Sequence, residues 1–296
     1  MKICFIFSKK AGGQRIRSIS WEVKKHMERA GIEFAMEIAE YPGHVEEMAR
    51  RASWADVVVA VGGDGTVNEV VNGIMGTGTA LGIVPIGSGN GFARSLGIPL
   101  SVKKACRLIS DGSIRFVDIG FVRTPSRKRY FASTFGCGFD ALLAKEASHE
   151  RSIFRALWVY IWGGMKSYGI FRRRIKGMRV EGEMDGEEFK RTCMMLNFAN
   201  SREYGGGAKV APMASLEDGM LDVVLMDPVG IWRGLGHLSA LFMGGFTGRP
   251  GIESKRIERA FLKVVDPPIA QIDGDPFPLE LPVEVGVIQK GLPVIS

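Results

Sequence analysis

Apolar and polar positions along the chain fall into two regimes. In the first, short apolar runs alternate with stretches of helical period. Lys2 to Phe7 reads as a strand around the run ICFIF, Gln14 to Arg29 as a helix, and Glu33 to Ala39 as a second strand. His44 to Ala52 returns to helical spacing after the turn Tyr41-Pro42-Gly43. Val57 to Val61 is continuous and β-branched but for Ala60, which suits a strand buried on both faces of a parallel sheet. Val67, Val70, Val71 and Ile74 then share one helical face. Ala80 to Val84 is another buried strand, and Lys103 to Ser110 a short helix. Around Gly120 the second regime begins and strand-like runs dominate. Arg129 to Gly136 and Glu187 to Ala199 read as strands, Asp140 to Ser148 and the glycine-rich Val229 to Met243 as helices. Val283 to Ile288 is a strand returning to the first domain. The pattern predicts an α/β domain over residues 1–122, completed by 287–296, and a β-rich domain over 123–286.

The chemistry concentrates where strands end in glycine. Gly62-Gly63-Asp64-Gly65 follows the Val57 strand at once and opens the next helix. Strand, glycine turn and helix form a phosphate site at the carboxyl edge of an α/β sheet, where bare backbone and helix-end amides meet an anion. Thr66 is placed to cap that helix, with Glu69 as its capping-box partner. No Lys-Ser/Thr pair follows, so this is not a Walker loop. Asp64 sets a carboxylate among the amides, and an acid beside a phosphate calls for a bridging cation, which points to magnesium-nucleotide. A second such loop, Pro85-Ile86-Gly87-Ser88-Gly89-Asn90-Gly91, follows the Ala80 strand. Farther on, Asp273-Gly274-Asp275 is a turn with two carboxylates that can face one cleft, one as a general base and the other tuning it.

Composition adds less. The 296 residues are 46% hydrophobic and 24% charged, an ordinary globular balance. The four cysteines have no metal-ligand spacing, which fits a reduced, cytoplasmic setting. The amino-terminal apolar run is too short for a secretory segment. The net charge of +7 is concentrated: residues 151–180 hold eight Lys or Arg and no acid, leaving 31 basic against 32 acidic residues elsewhere. In that segment Ile153, Leu157 and Ile161, with Phe154, Trp158 and Trp162, make one apolar helical face beside Arg151 and Arg155, and Arg172-Arg173-Arg174 and Lys176 follow. Such a helix can contact an anionic membrane surface peripherally; a helix packed on its own domain with solvated arginines is the plain alternative. No recognition motif accompanies the charge, so nucleic acid is not an expected partner. The oligomeric state is open, a homodimer included.

GGDGTVNEVVNG resembles the signature of the diacylglycerol kinase catalytic domain family, which includes bacterial soluble lipid kinases and sphingosine and ceramide kinases. NAD kinases and phosphofructokinases carry a related GGDGT. The resemblance continues at Pro85–Arg94, at Tyr204–Pro212 with Ser215–Asp222, and at Asp273–Asp275. It implies a three-layer α/β nucleotide domain, a β-sandwich-like second domain, and transfer of the γ-phosphate of Mg-ATP to a hydroxyl of a lipid such as diacylglycerol. It implies ATP contacts at Ser8, Lys10, Gly12, Gly62, Gly63, Asp64, Gly65, Thr66, Asn68, Glu69 and Ser88. Asp218, with carbonyls of Ser215 and Met220, would hold a structural Mg2+. Asp273 or Asp275 would be the catalytic base, the latter where the family has Glu. The chain departs from the family pattern at Ser8 and Lys9 (Asn-Pro), Ala39 (Thr) and Gly91 (an acid of a magnesium network with Asp64 and Asp118). A soluble-substrate kinase, or a binding protein without turnover, are the rival expectations.

Overall fold

The computed structural model describes residues 1–52, 54–142, 177–204 and 207–296. The basic amphipathic stretch of residues 151–176, and all but the start of the helix expected from Asp140, lie outside them. The chain divides into two compact units, Met1–Asp118 with Lys290–Ser296, and Ile119–Gln289.

The first unit is built on parallel strands β1 (Lys2–Ser8), β2 (Glu33–Ala39), β3 (Val57–Gly62) and β4 (Ala80–Pro85), in the order β2-β1-β3-β4. Alternate residues of these strands point to opposite faces. Ile3, Phe5, Phe7, Val57, Val59 and Val61 pack under Ile19, Val23 and Met27 of α2 (Ile16–Ala30) and Ala105, Cys106 and Ile109 of α6 (Val102–Asp111). Helices α3 (His44–Arg51) and α4 (Asp64–Ile74) pack together, and a Cβ on Gly73 would stand 2.6 Å from that of Ala49. Two further helices are single turns, α1 (Lys9–Gly12) and α5 (Gly91–Ser95). The segment expected as a loop from Ser8 to Gly13 is therefore helical: Ser8 caps α1 through its Oγ, 3.4 Å from the Ala11 amide, and a 3-10 turn, Gly13–Arg15, leads into α2. Chain end and sheet meet at Val294, registered beside Leu81 of β4.

The second unit carries two sheets. Strand β5 (Ile114–Arg123) enters it from the first unit and pairs with β6 (Lys128–Phe131). Strands β7 (Thr134–Gly138), β10 (Met195–Ala199), β11 (Leu221–Met226), β12 (Ile252–Ile257), β14 (Ile269–Ile272) and β15 (Asp275–Pro278) form a six-stranded antiparallel sheet, β12-β11-β10-β7-β14-β15. The other layer runs β16-β13-β8-β9, from β8 (Met178–Met184), β9 (Glu187–Cys193), β13 (Arg259–Asp266) and β16 (Val283–Ile295). Phe135, Leu196, Phe198 and Val224 from one sheet share a core with Val180, Leu262, Val283 and Val285 from the other, a β-sandwich. Helix α7 (Ile231–Met243) follows β11. Among the described residues no helix is long and apolar enough to cross a membrane.

Two expected strands prove to be two strands each. Glu187 to Ala199 breaks at Met194, whose amide bonds to Met226 O at 2.7 Å and whose carbonyl takes the Phe139 amide at 2.9 Å, so β9 and β10 belong to different sheets. Arg129 to Gly136 breaks at Ala132 and Ser133, for a reason that belongs to the site.

Candidate active site

The strand order β2-β1-β3-β4 reverses direction between β1 and β3. Loops leaving adjacent strands in opposite directions open a crevice at the carboxyl edge of a parallel sheet, the place where such sheets bind ligands. The helical turn after β1 brings Ser8, Lys10 and Gly12 to this edge, and the passage from β3 into α4 brings Gly62, Gly63, Asp64, Gly65 and Thr66. The loop after the neighbouring β4 brings Ser88, which is exposed.

The β3 and β4 loops touch glycine to glycine. A Cβ on Gly87 would stand 2.5 Å from the Gly63 Cα, and one on Gly63 3.2 Å from the Gly87 Cα. The Ile86 amide bonds to Gly62 O at 3.0 Å, and Asn90, in the left-handed region at φ 56°, clamps both the amide and the carbonyl of Gly87 at 3.1 and 2.8 Å. Gly87 and Asn90 carry this geometry, although the sequence reading credited only Ser88.

Helix α4 begins at Asp64, with Gly63 at its N-cap and no side-chain cap. The expected Thr66–Glu69 capping box does not form, because Thr66 is already inside the first turn. Its side chain lies buried over Gly62, where a Cβ would stand 2.1 Å from Oγ1. Asn68 is buried and accepts at Oδ1 from Asn72 Nδ2 at 3.2 Å; Glu69 is half-buried. Asp64 turns toward the second loop: Oδ1 accepts the Phe92 amide at 3.2 Å. Burial pushes its carboxyl up from the usual range, opposed by the amides of Gly91, Phe92 and Asn90. Gly91, where the resembled family has an acid, thus offers its N–H to Asp64. Asp118, fully buried, accepts the Lys290 amide at 2.7 Å.

In the second unit, Asp273 and Asp275 flank one turn but live in different surroundings. Asp273 is buried, at φ 48°, and its carboxylate takes three consecutive backbone amides: Ala132 on Oδ2, Ser133 and Thr134 on Oδ1, each at 2.8 Å. This explains the break between β6 and β7, since three neighbouring N–H groups converging on one carboxylate cannot alternate as in a strand. Asp275 is exposed at the start of β15.

Ser215, Asp218 and Met220 share the loop before β11. Ser215 Oγ accepts the Glu217 amide at 3.3 Å, Asp218 Oδ1 accepts the Met220 amide at 3.1 Å, and Asp218 Oδ2 lies 3.7 Å from the Arg256 guanidinium. No cluster of three or more His, Cys, Asp or Glu suited to a metal occurs among the described residues. Asp222, which ends the Ser215–Asp222 stretch but was given no role there, stands on β11 with a buried, unpartnered Oδ2. Its carboxyl is pushed up to about 6 by burial and by Asp218, against the pull of Arg256. An orphaned carboxylate oxygen near a second carboxylate is an oxygen donor pair of the kind that suits a hard divalent cation. A visible signal was present: an acid inside the apolar run Leu221–Met226.

A pH dependence follows. The folded Asp222 holds its proton above the ordinary value of 3.8, so between pH 4 and 6 the unfolded chain ionises first and stability falls as pH rises. Above pH 6 the penalty is constant, on the order of 3 kcal/mol at roughly 1.4 kcal/mol per pH unit. Asp222→Asn should raise the thermal midpoint at pH 7 and flatten its decline between pH 4 and 6. A midpoint unchanged by the substitution at pH 7 would refute this.

Residues 2–122 match the family model of the diacylglycerol kinase catalytic domain, and residues 133–296 that of the YegS C-terminal NAD kinase beta sandwich-like domain. The chain is 31% identical to the diacylglycerol kinase of Bacillus subtilis over 226 residues, 75% of this chain and 72% of that one. It is 27% identical to the diacylglycerol kinase of Staphylococcus saprophyticus over 276 residues, 91% and 87% of the two chains. A crystal structure of a diacylglycerol kinase from Bacillus anthracis superimposes with a TM-score of 0.73 at 19% identity, covering 100% of this chain and 96% of that one, a likeness of fold.

Proposed function

Because this chain belongs to the diacylglycerol kinase catalytic domain family of lipid kinases, which are phosphotransferases, we propose that it transfers the γ-phosphate of ATP to a hydroxyl of a lipid such as diacylglycerol. The observation that carries the nucleotide half is the glycine contact of Gly63 with Gly87, which sets two phosphate-type turns side by side next to the switch point of the sheet. ATP phosphates lie on Gly62 to Thr66, near Ser88, with Ser8, Lys10, Gly12, Asn68 and Glu69 completing the contacts. Asp64, bonded to the second loop, fixes the two turns to each other.

Asp275 is the base that accepts the proton of the lipid hydroxyl. The contrast with Asp273 supports this choice: three amides already occupy the Asp273 carboxylate, whereas Asp275 is exposed at the same turn. Magnesium bound with ATP would screen the phosphate charge, and phosphoryl transfer asks little of the protein beyond positioning and electrostatics. A second Mg2+ would rest on Asp218 with carbonyls of Ser215 and Met220, Asp222 completing the charge. On this reading millimolar Mg2+ raises the thermal midpoint of the wild type at pH 7 and leaves Asp222→Asn nearly unmoved. The membrane is reached peripherally, and the setting is cytoplasmic.

The deciding experiment follows labelled γ-phosphate from Mg-ATP into a total lipid extract in mixed micelles, with water-soluble acceptors in parallel. Label in the lipid phase is expected. Label confined to a soluble product would turn the reading to a soluble-substrate kinase, and ATP binding with no transfer to a binding protein.

A further inference from the structure

From the buried polar cluster beneath the Asp273–Asp275 turn, we infer that Gln271 and Asp140 are positioning residues for Asp275. The inference rests on the reading of Asp275 as the base.

The cluster lies in one unit and has few exposed atoms. Asp140 is 1% exposed and Gln271 and Asn197 fully buried. Asp140 accepts from the Tyr204 hydroxyl at Oδ1, and at Oδ2 from Asn197 Nδ2 at 2.6 Å and Gln271 Nε2 at 2.9 Å. The Gln271 amide is then fully committed. Its Nε2 also donates to Thr134 Oγ1 at 3.0 Å, and its Oε1 accepts the Gly274 amide at 2.7 Å.

Chemistry fixes the direction of this relay. An ionised carboxylate only accepts, so it dictates that the NH₂ end of Gln271 faces it and the carbonyl end faces Gly274. A flipped amide would set NH₂ against the Gly274 N–H. Gly274 stands between the two aspartates at φ 90°, so its amide fixes the Asp273–Gly274 peptide, one residue before Asp275. Asp273 pins one side of the turn to Ala132–Thr134, and Gln271 pins its centre. Gly136 makes room for the cluster: a Cβ there would stand 1.9 Å from Asp140 Oδ2 and 2.7 Å from Gln271 Nε2. Burial pushes the Asp140 carboxyl up, opposed by the donors of Tyr204, Gln271 and Asn197. A buried carboxyl given three donors against that push, one strand from the turn, suits a residue that orders its neighbour.

The test uses the full-length protein in the lipid-kinase assay, with Asp275→Asn as reference. Gln271→Glu sets carboxyl oxygens against each other in the Asp140–Gln271 contact, whereas Asp140→Asn keeps an oxygen toward Asn197 and Gln271 by turning its NH₂ to the Tyr204 hydroxyl. The double variant restores a donor–acceptor pair once the Asn197 amide turns its unpartnered Oδ1 to position 140, while the carboxylate introduced at position 271 still accepts the Gly274 amide. Gln271→Glu should lose about 10–100-fold in kcat, as expected for a reacting group displaced on the ångström scale, and Asp140→Asn several-fold, both with KM for ATP and for lipid within about twofold. The double variant should recover most of that loss. If a single variant melts below the assay temperature, Thr134→Val decides, since it removes only one acceptor from Gln271: a kcat loss of several-fold at constant KM supports the proposal, and none overturns it. Unchanged kcat in the folded single variants, with Asp275→Asn inactive, overturns positioning and leaves the base standing. An active Asp275→Asn overturns the base itself. A raised lipid KM at full kcat would make Asp140 an acceptor-binding residue and also overturns the proposal.

Discussion

Asp275→Asn should lower kcat for lipid phosphorylation by about 10²–10⁴-fold, the usual cost of removing a general base. That is roughly 3–5 kcal/mol on the barrier. The side chain is exposed and Asn is nearly isosteric, so the thermal midpoint should stay within a degree or two of the wild type. ATP affinity should not change, because the glycine turns proposed to hold the phosphates belong to the other unit. Kinetics in mixed micelles and a melting curve on the same preparation check both halves. A variant with full kcat would remove Asp275 from the chemistry, and one that lost its fold would show the residue to be structural.

Asp273→Asn should do the opposite, and the contrast is the sharper test. Its carboxylate is the common acceptor for the amides of Ala132, Ser133 and Thr134, in a buried site. Hydrogen bonds to a charged group contribute about 1.5–3 kcal/mol each, and a buried amide left without an acceptor costs a further 1–3 kcal/mol. Asn keeps one acceptor oxygen but presents NH₂ to an N–H on the other side. A net loss of about 3 kcal/mol or more is expected, or a fall of roughly 6–12 °C in the midpoint for a protein of this size. Activity should fall with the folded fraction and with distortion of the turn. A stable Asp273→Asn variant with normal kcat would refute the clamp. Exchanging these two outcomes, an inert but stable Asp273→Asn and an active but unstable Asp275→Asn, would reverse their roles.

The two phosphate-type turns were legible because glycine after a buried β-branched run has few other uses, and the strands that carry them are continuous in sequence. The alternation of strand and helix up to residue 111 was legible for the same reason: each element is signalled locally by its own period. What escaped was set by partners far along the chain. The break at Ala132–Ser133 is imposed by Asp273, about 140 residues away, and nothing in the local run Tyr130-Phe131-Ala132-Ser133 announces it. Met194 looks like the middle of one strand until its two backbone bonds are seen to lead away from β9, to Met226 of β11 and to Phe139 just past β7. The Thr66 cap failed because the helix starts three residues earlier, inside the glycines, where Gly63 needs no side chain to enter it. Asp140, Asp222 and Gln271 are each a polar residue within an apolar stretch. That pattern signals a buried partner but cannot name one.

The placement of Lys290–Ser296 in the first unit bears on how the protein is made. The parallel sheet of the first unit borrows its last strand from residues that leave the ribosome after the whole sandwich, so β4 emerges with an edge whose partner is more than 200 residues behind it. Vectorial, first-unit-first folding is thereby denied its final step. A nascent chain arrested before residue 290 carries an open parallel edge, the kind of surface that chaperones cover and that pairs wrongly when they do not. The amide of Lys290 closes on Asp118 only when synthesis has reached it, so completion of the first unit waits on emergence of the second.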